Sequence, residues 1–121
     1  LIVACGRDAA EQAVADAGCR ALLGFYASTP AYRPVLDHEG FGDIQPVAQQ
    51  LTREGRWDEL SAIVPDELLG LVAVRGTPDE VAATIARRYG TRSRRVAVYL
   101  PYAGAEAVWT DLVAAIHAVG P

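Results

Sequence analysis

Lysine is absent: all eleven cations are arginines, as the codon usage of a GC-rich genome would give. Methionine is absent too, and the chain opens inside an apolar run, Leu1-Ile2-Val3-Ala4-Cys5, with no turn or cap before it. We read Leu1 as a cut and expect further chain upstream. Cysteine is scarce. Cys5 and Cys19 make neither a C-x-x-C pair nor a disulfide framework, so both are expected as free, buried thiols. The two histidines, His38 and His117, stand far from the cysteines and from each other, which leaves no metal-ligand spacing. No phosphate loop, dinucleotide glycine pattern or Ser/His/Asp arrangement is present. No apolar run is long enough to span a bilayer, and no signal-peptide cleavage pattern follows the first one, so a cytoplasmic protein is expected. A net charge of −4 with few aromatics argues against a nucleic-acid surface. Arg92, Arg94 and Arg95 read as a solvated basic turn.

What is present is enough for one domain with a modest core: 121 residues, 51% of them apolar. Leu1–Cys5, ended by Gly6, has the uninterrupted apolar character of a strand buried on both faces. Asp8 and Glu11 offer a capping box for a helix. Ala10, Val14, Ala17, Ala21 and Phe25 give that helix one face, running to about Ala27. Gly18 and Gly24 should weaken it. Pro30, Pro34, Gly40 and Gly42 predict an irregular loop over 28–42. Tyr26, Thr29, Tyr32, Arg33, His38 and Phe41 make that region dense in aromatic and hydrogen-bonding groups, as functional loops are.

Further on, Asp43 should cap a helix reaching about Glu54, and Trp57 to Ile63 reads as a short helix. Trp57 itself reads as a core anchor. Leu71 to Val74 fits either a strand or a helix end. Thr77-Pro78-Asp79-Glu80 is the clearest local signal, a capping box with proline at the first helical position. Val96 to Leu100, stopped by Pro101, is expected to be a second strand, adjacent and parallel to Leu1–Cys5. A last amphipathic helix carries Val108, Leu112, Val113, Ile116 and Val119 and should end at Gly120.

The stretch Phe25-Tyr26-Ala27-Ser28-Thr29-Pro30-Ala31-Tyr32-Arg33-Pro34-Val35-Leu36 resembles a subgroup of the luciferase-like oxidoreductases. So do Gly55-Arg56-Trp57-Asp58-Glu59, the run from Val74 through Gly76-Thr77-Pro78 to Ala82, and Val98-Tyr99-Leu100-Pro101-Tyr102. The resemblance implies an α/β fold: the last two βα units of a (β/α)8 barrel, strands 7 and 8, with a helical insertion over 28–71. Residues 1–121 would then be a single partial domain, short of the roughly 250 residues of a whole barrel. It also implies coenzyme F420, or alternatively FMN, as cofactor, with a small organic substrate. The intervening Glu39 departs from the His-Gly order expected after Asp37-His38 and weakens any role for His38.

Two site readings follow. Arg7, beside the end of the first strand, is the candidate cofactor-binding residue; a solvated pair with Asp8 or Glu11 is the plainer alternative. Tyr26, Thr29, Tyr32 and Arg33 are the candidate substrate-binding residues, with Pro30 and Pro34 restricting their backbone. Arg33 could equally fix the loop by stacking on Tyr32. No catalytic or metal-binding residue is assigned. Unpaired strand edges predict a homo-oligomer. A rival reading from another class is a short α/β interaction or assembly module without catalysis.

Overall fold

The computed structural model describes residues 1–119; the expected stop at Gly120 lies outside them. Helix dominates. Among the described residues six α-helices accompany two strands of four residues each, β1 (Ile2–Cys5) and β2 (Ala73–Gly76). The helices are α1 (Ala9–Ala27), α2 (Arg33–His38), α3 (Ile44–Arg53), α4 (Asp66–Val72), α5 (Pro78–Tyr89) and α6 (Ala105–Val119). The chain forms two compact units. One comprises Leu1–Cys19 with the chain from Gly70 onward; the other is Arg20–Leu69.

In the first unit β1 and β2 are parallel, with Val3 opposite Val74 and Cys5 opposite Gly76. Successive residues of a strand direct their backbone groups to alternate edges, and β1 uses both. Toward β2, Gly6 N–H donates to Gly76 O at 3.2 Å. Toward the other edge, Val3 N–H donates to Tyr99 O at 2.9 Å, and Tyr99 N–H to Leu1 O at 2.8 Å. One parallel bridge, Ile2 to Tyr99, is all the strand character that Val96–Leu100 attains. Beyond it Pro101 has no N–H to offer, and the Tyr102 hydroxyl takes over. It accepts from Cys5 N–H and donates to Cys5 O, both at 3.0 Å.

These observations correct the expected fold. Val96–Leu100 does lie beside β1 in parallel, but through one bridge only. The partner strand of β1 is Ala73–Gly76, and the chain is mostly helical with a minimal sheet in place of barrel units. Nor is the order that of a barrel's last units. There each strand pairs with its successor, whereas here the third segment returns to the first strand.

The core of this unit is one cluster. Val3 and Cys5 of β1 and Val74 of β2 pack with Val81 and Ile85 of α5 and Val108 and Leu112 of α6. The α5 helix starts where the sequence says. Glu80 N–H donates to Thr77 Oγ1 at 3.4 Å, and the Glu80 carboxylate accepts from Thr77 N–H at 2.9 Å. At α1 only half of the expected box closes. Asp8 accepts from Glu11 N–H at 2.8 Å, but the Glu11 carboxylate accepts from Arg7 N–H instead. The glycines of α1 do not break it. A Cβ on Gly18 would lie 2.5 Å from Tyr102 Cβ and 2.6 Å from Pro101 O, so the missing side chain is what lets that segment approach.

The second unit is helical throughout. The expected loop over 28–42 instead holds a 3-10 turn (Pro30–Tyr32) leading directly into α2. Proline is tolerated in a first helical turn, so Pro30 and Pro34 open these elements rather than preventing them. Asp43 stands at the N-cap of α3 without a side-chain cap bond, and 57–63 forms two 3-10 turns in place of a helix. Gly24 gives Leu60 room against α1, since a Cβ there would sit 2.6 Å from Leu60 O.

Candidate functional site

Two places gather polar or aromatic groups, one in each unit. In the first, the carboxyl ends of β1 and β2 border a cavity of about 420 Å³, lined among others by Gly6, Arg7, Gln12, Arg75, Thr77 and Glu80. Arg7 is occupied there. Its Nη2 lies 2.6 Å from Glu11 Oε1, and its Nη1 lies 3.5 Å from Asp111 Oδ2. Hydrogen bonds from Arg7 hold the Glu11 carboxyl at about 2, well below the usual range, and Glu11 raises Arg7 in turn. The structure thus shows the pairing with Glu11 that the sequence offered as the plainer role.

A second arginine in the same cavity gave no signal as a site residue in the sequence. Arg75 sits in β2, with Nε 2.9 Å and Nη2 2.5 Å from the Asp16 carboxylate. Gln12 donates from one Nε2 to Asp16 Oδ1 at 2.9 Å and to Ala4 O at 3.0 Å. Hydrogen bonding to Asp16 raises Arg75 above its ordinary value. The spacing of Gln12 and Asp16, one helical turn apart, was the available signal. Its target lies far along the chain and could not be read.

The thiols are inert. Burial pushes Cys5 up to about 11 and Cys19 up to about 12, so neither is a thiolate at neutral pH. Among the described residues no group of three or more His, Cys, Asp or Glu could hold a metal ion, and no helix is long and apolar enough to cross a membrane.

The second unit brings the candidate substrate-binding residues together. Tyr26 lies in the last turn of α1, and the turn that follows returns the chain: Thr29 N–H donates to Tyr26 O and Tyr32 N–H to Thr29 O. The Tyr26 and Tyr32 rings consequently lie 5.6 Å apart, tilted by 40°. Phe25 extends the group, 6.2 Å from Tyr26 and 6.3 Å from Trp57. Phe25, Tyr32 and Trp57 are each about half exposed, at 49, 48 and 53%. Trp57 is therefore a surface ring, which corrects its expected place as a core anchor. The turn is pinned from beneath, where Ser28 Oγ donates to Phe25 O at 2.6 Å and the buried Gln45 donates to Ser28 O at 3.3 Å. Arg33 is half exposed, its Nε 3.6 Å from Asp37 Oδ2. His38 ends α2 on the surface.

Three mycobacterial proteins, all uncharacterized, are similar to this chain: one from Mycobacterium bovis and two from Mycobacterium tuberculosis, strains CDC 1551 and H37Rv. Each is 41% identical over 88 residues, which cover 73% of this chain and 26% of the relative. The chain therefore spans about a quarter of the length of these relatives. No family model and no solved structure matches it.

Proposed function

We propose that the chain supplies a substrate-facing wall to an oxidoreductase that uses coenzyme F420 or FMN. The aromatic surface of the second unit carries this reading, because Tyr26, Thr29 and Tyr32 converge there with Phe25 and Trp57 exposed beside them. Exposed, offset rings suit a flat polycyclic ligand. Arg33, held by one long contact to Asp37, has a guanidinium free to turn toward an anionic group. The residues present thus fit one face of such a cofactor or its substrate. When bound, the cofactor supplies the hydride chemistry. The chain's own residues orient the ring plane and exclude water from one side. The rest of the pocket belongs, on this reading, to a larger protein of the relatives' length.

The test is a titration of F420 and of FMN into the protein expressed from the full reading frame around this chain. Quenching of cofactor fluorescence at one equivalent is expected for one of them. Arg33→Ala should weaken binding of cofactor or substrate roughly tenfold to a hundredfold and leave the melting temperature unchanged. Binding of neither cofactor rejects the reading, as does an Arg33→Ala protein that binds normally but melts early.

A further inference from the structure

A second cavity in the first unit plays no part in that reading. It measures about 730 Å³ and is bordered by α5, the segment 90–98 and α6. Its walls are apolar: Ile85, Tyr89, Val98, Trp109, Val113 and Ile116. Trp109 is 45% exposed, and Val96 and Val119 of the same lining are 36 and 45% exposed, an apolar patch of the kind that marks a binding surface. The volume falls in the range of about 300–1,000 Å³ that holds small-molecule ligands.

Charge decides what kind of ligand fits. Carboxylates outnumber cations in the chain, fifteen to eleven, yet no Asp or Glu lines this cavity. Its charged or titratable groups other than Tyr89 are Arg94 and His117. Among the described residues the Arg94 guanidinium has no ion-pair or hydrogen-bond partner; Arg53, Arg88, Arg92 and Arg95 likewise have none, but of these arginines Arg94 alone lines the cavity. Ser93 and Thr91 add hydroxyls beside Arg94. A half-open apolar cleft that holds, among the described residues, an unengaged guanidinium and no Asp or Glu is complementary to a molecule with an apolar body and one anionic head.

We propose that this cavity binds a small amphiphile, its apolar body against Trp109, Val113 and Ile116 and its anionic head on Arg94. The occupant is a single small molecule, not a peptide helix or a second copy of the chain.

The experiment uses the whole chain carrying Trp57→Phe, which leaves Trp109 as the one tryptophan. Decanoate titrated below its micelle concentration should change Trp109 fluorescence saturably at one equivalent, and 1-decanol should bind at least about tenfold more weakly. Adding Arg94→Gln, a surface change, should weaken decanoate about tenfold and bring it level with decanol. Val113→Glu should abolish the response, with circular dichroism confirming the fold. If Val113→Glu unfolds the chain, the Arg94→Gln comparison decides alone. No saturable response overturns the proposal, as does decanol binding as tightly as decanoate or an Arg94→Gln protein that binds decanoate unchanged. Sedimentation showing a dimer that decanoate dissociates would also overturn it, by assigning the cavity to a second copy.

Discussion

Three protons buried in the first unit make its stability sensitive to base. Cys5 and Cys19 are pushed from 9.0 up to about 11 and 12, and Tyr102 from 10.0 up to about 12, in each case chiefly by burial. The folded state therefore keeps these protons where the unfolded chain gives them up. Their contribution is complete below about pH 9 and falls as the pH rises through 11 to 12. Glu11 acts in the opposite sense. Lowered from 4.5 to about 2, it contributes above 4.5 and loses that contribution toward pH 2, but its exposed setting keeps the effect small. Denaturant unfolding followed from pH 7 to 11 should show the midpoint dropping on the alkaline side, and iodoacetamide at pH 8 should leave both thiols unlabelled in the folded protein. A flat profile with rapid labelling would contradict the burial seen here. Gly18 allows a second test. Alanine there should favour the helix by about 1 kcal/mol, but the added Cβ would press on Pro101 and Tyr102. Overpacking of this kind costs about 1–3 kcal/mol, so Gly18→Ala is expected to lower the melting temperature. A stabilised variant would mean that this approach is not tight.

Among the elements, α5 was the most legible, because everything that starts it lies within four residues. Thr77→Ala should cost about 1 kcal/mol by opening the capping box, read as a shift in the denaturation midpoint with an unchanged slope. The sheet was legible only in part. Leu1–Cys5 announces itself by an unbroken apolar run. Ala73–Gly76 does not, because it carries Arg75, a charge disfavoured in a buried strand until Asp16 receives it from a distant helix. Val96–Leu100 has the better strand composition and becomes the poorer strand. Val96 and Tyr99 remain exposed and only Tyr99 bridges to β1, so composition alone could not say whether a second edge would be available. The candidate site divides in the same way. Tyr26, Thr29 and Tyr32 are joined by a local turn and could be grouped from sequence. Trp57 reaches them through the folding of the helical unit, and its exposure had no local sign.

At the scale of the whole molecule, the outer edge of β2 has no partner strand among the described residues. Such an edge offers a row of unpaired N–H and C=O groups to another chain. We expect self-association through it, detected as a concentration-dependent sedimentation coefficient. Gly76 O faces β1, so by strand alternation the backbone groups of Arg75 face the free edge. Arg75→Pro should suppress the association, at the cost of the Asp16 ion pair, which a denaturation curve would register. A strictly monomeric protein at high concentration would count against the expectation. The opposite edge of β1 ends differently, on the Tyr102 hydroxyl bound to both backbone groups of Cys5. That arrangement makes one amide a reporter. Most protected backbone hydrogens in the unit answer to another backbone group, but the Cys5 N–H answers to a phenol, so its exchange with solvent follows the docking of a single side chain. In Tyr102→Phe the Cys5 amide should exchange orders of magnitude faster while Val3, bonded to Tyr99 O, changes far less. The ratio of those two rates would then time the opening of the 101–104 turn separately from the unfolding of the sheet.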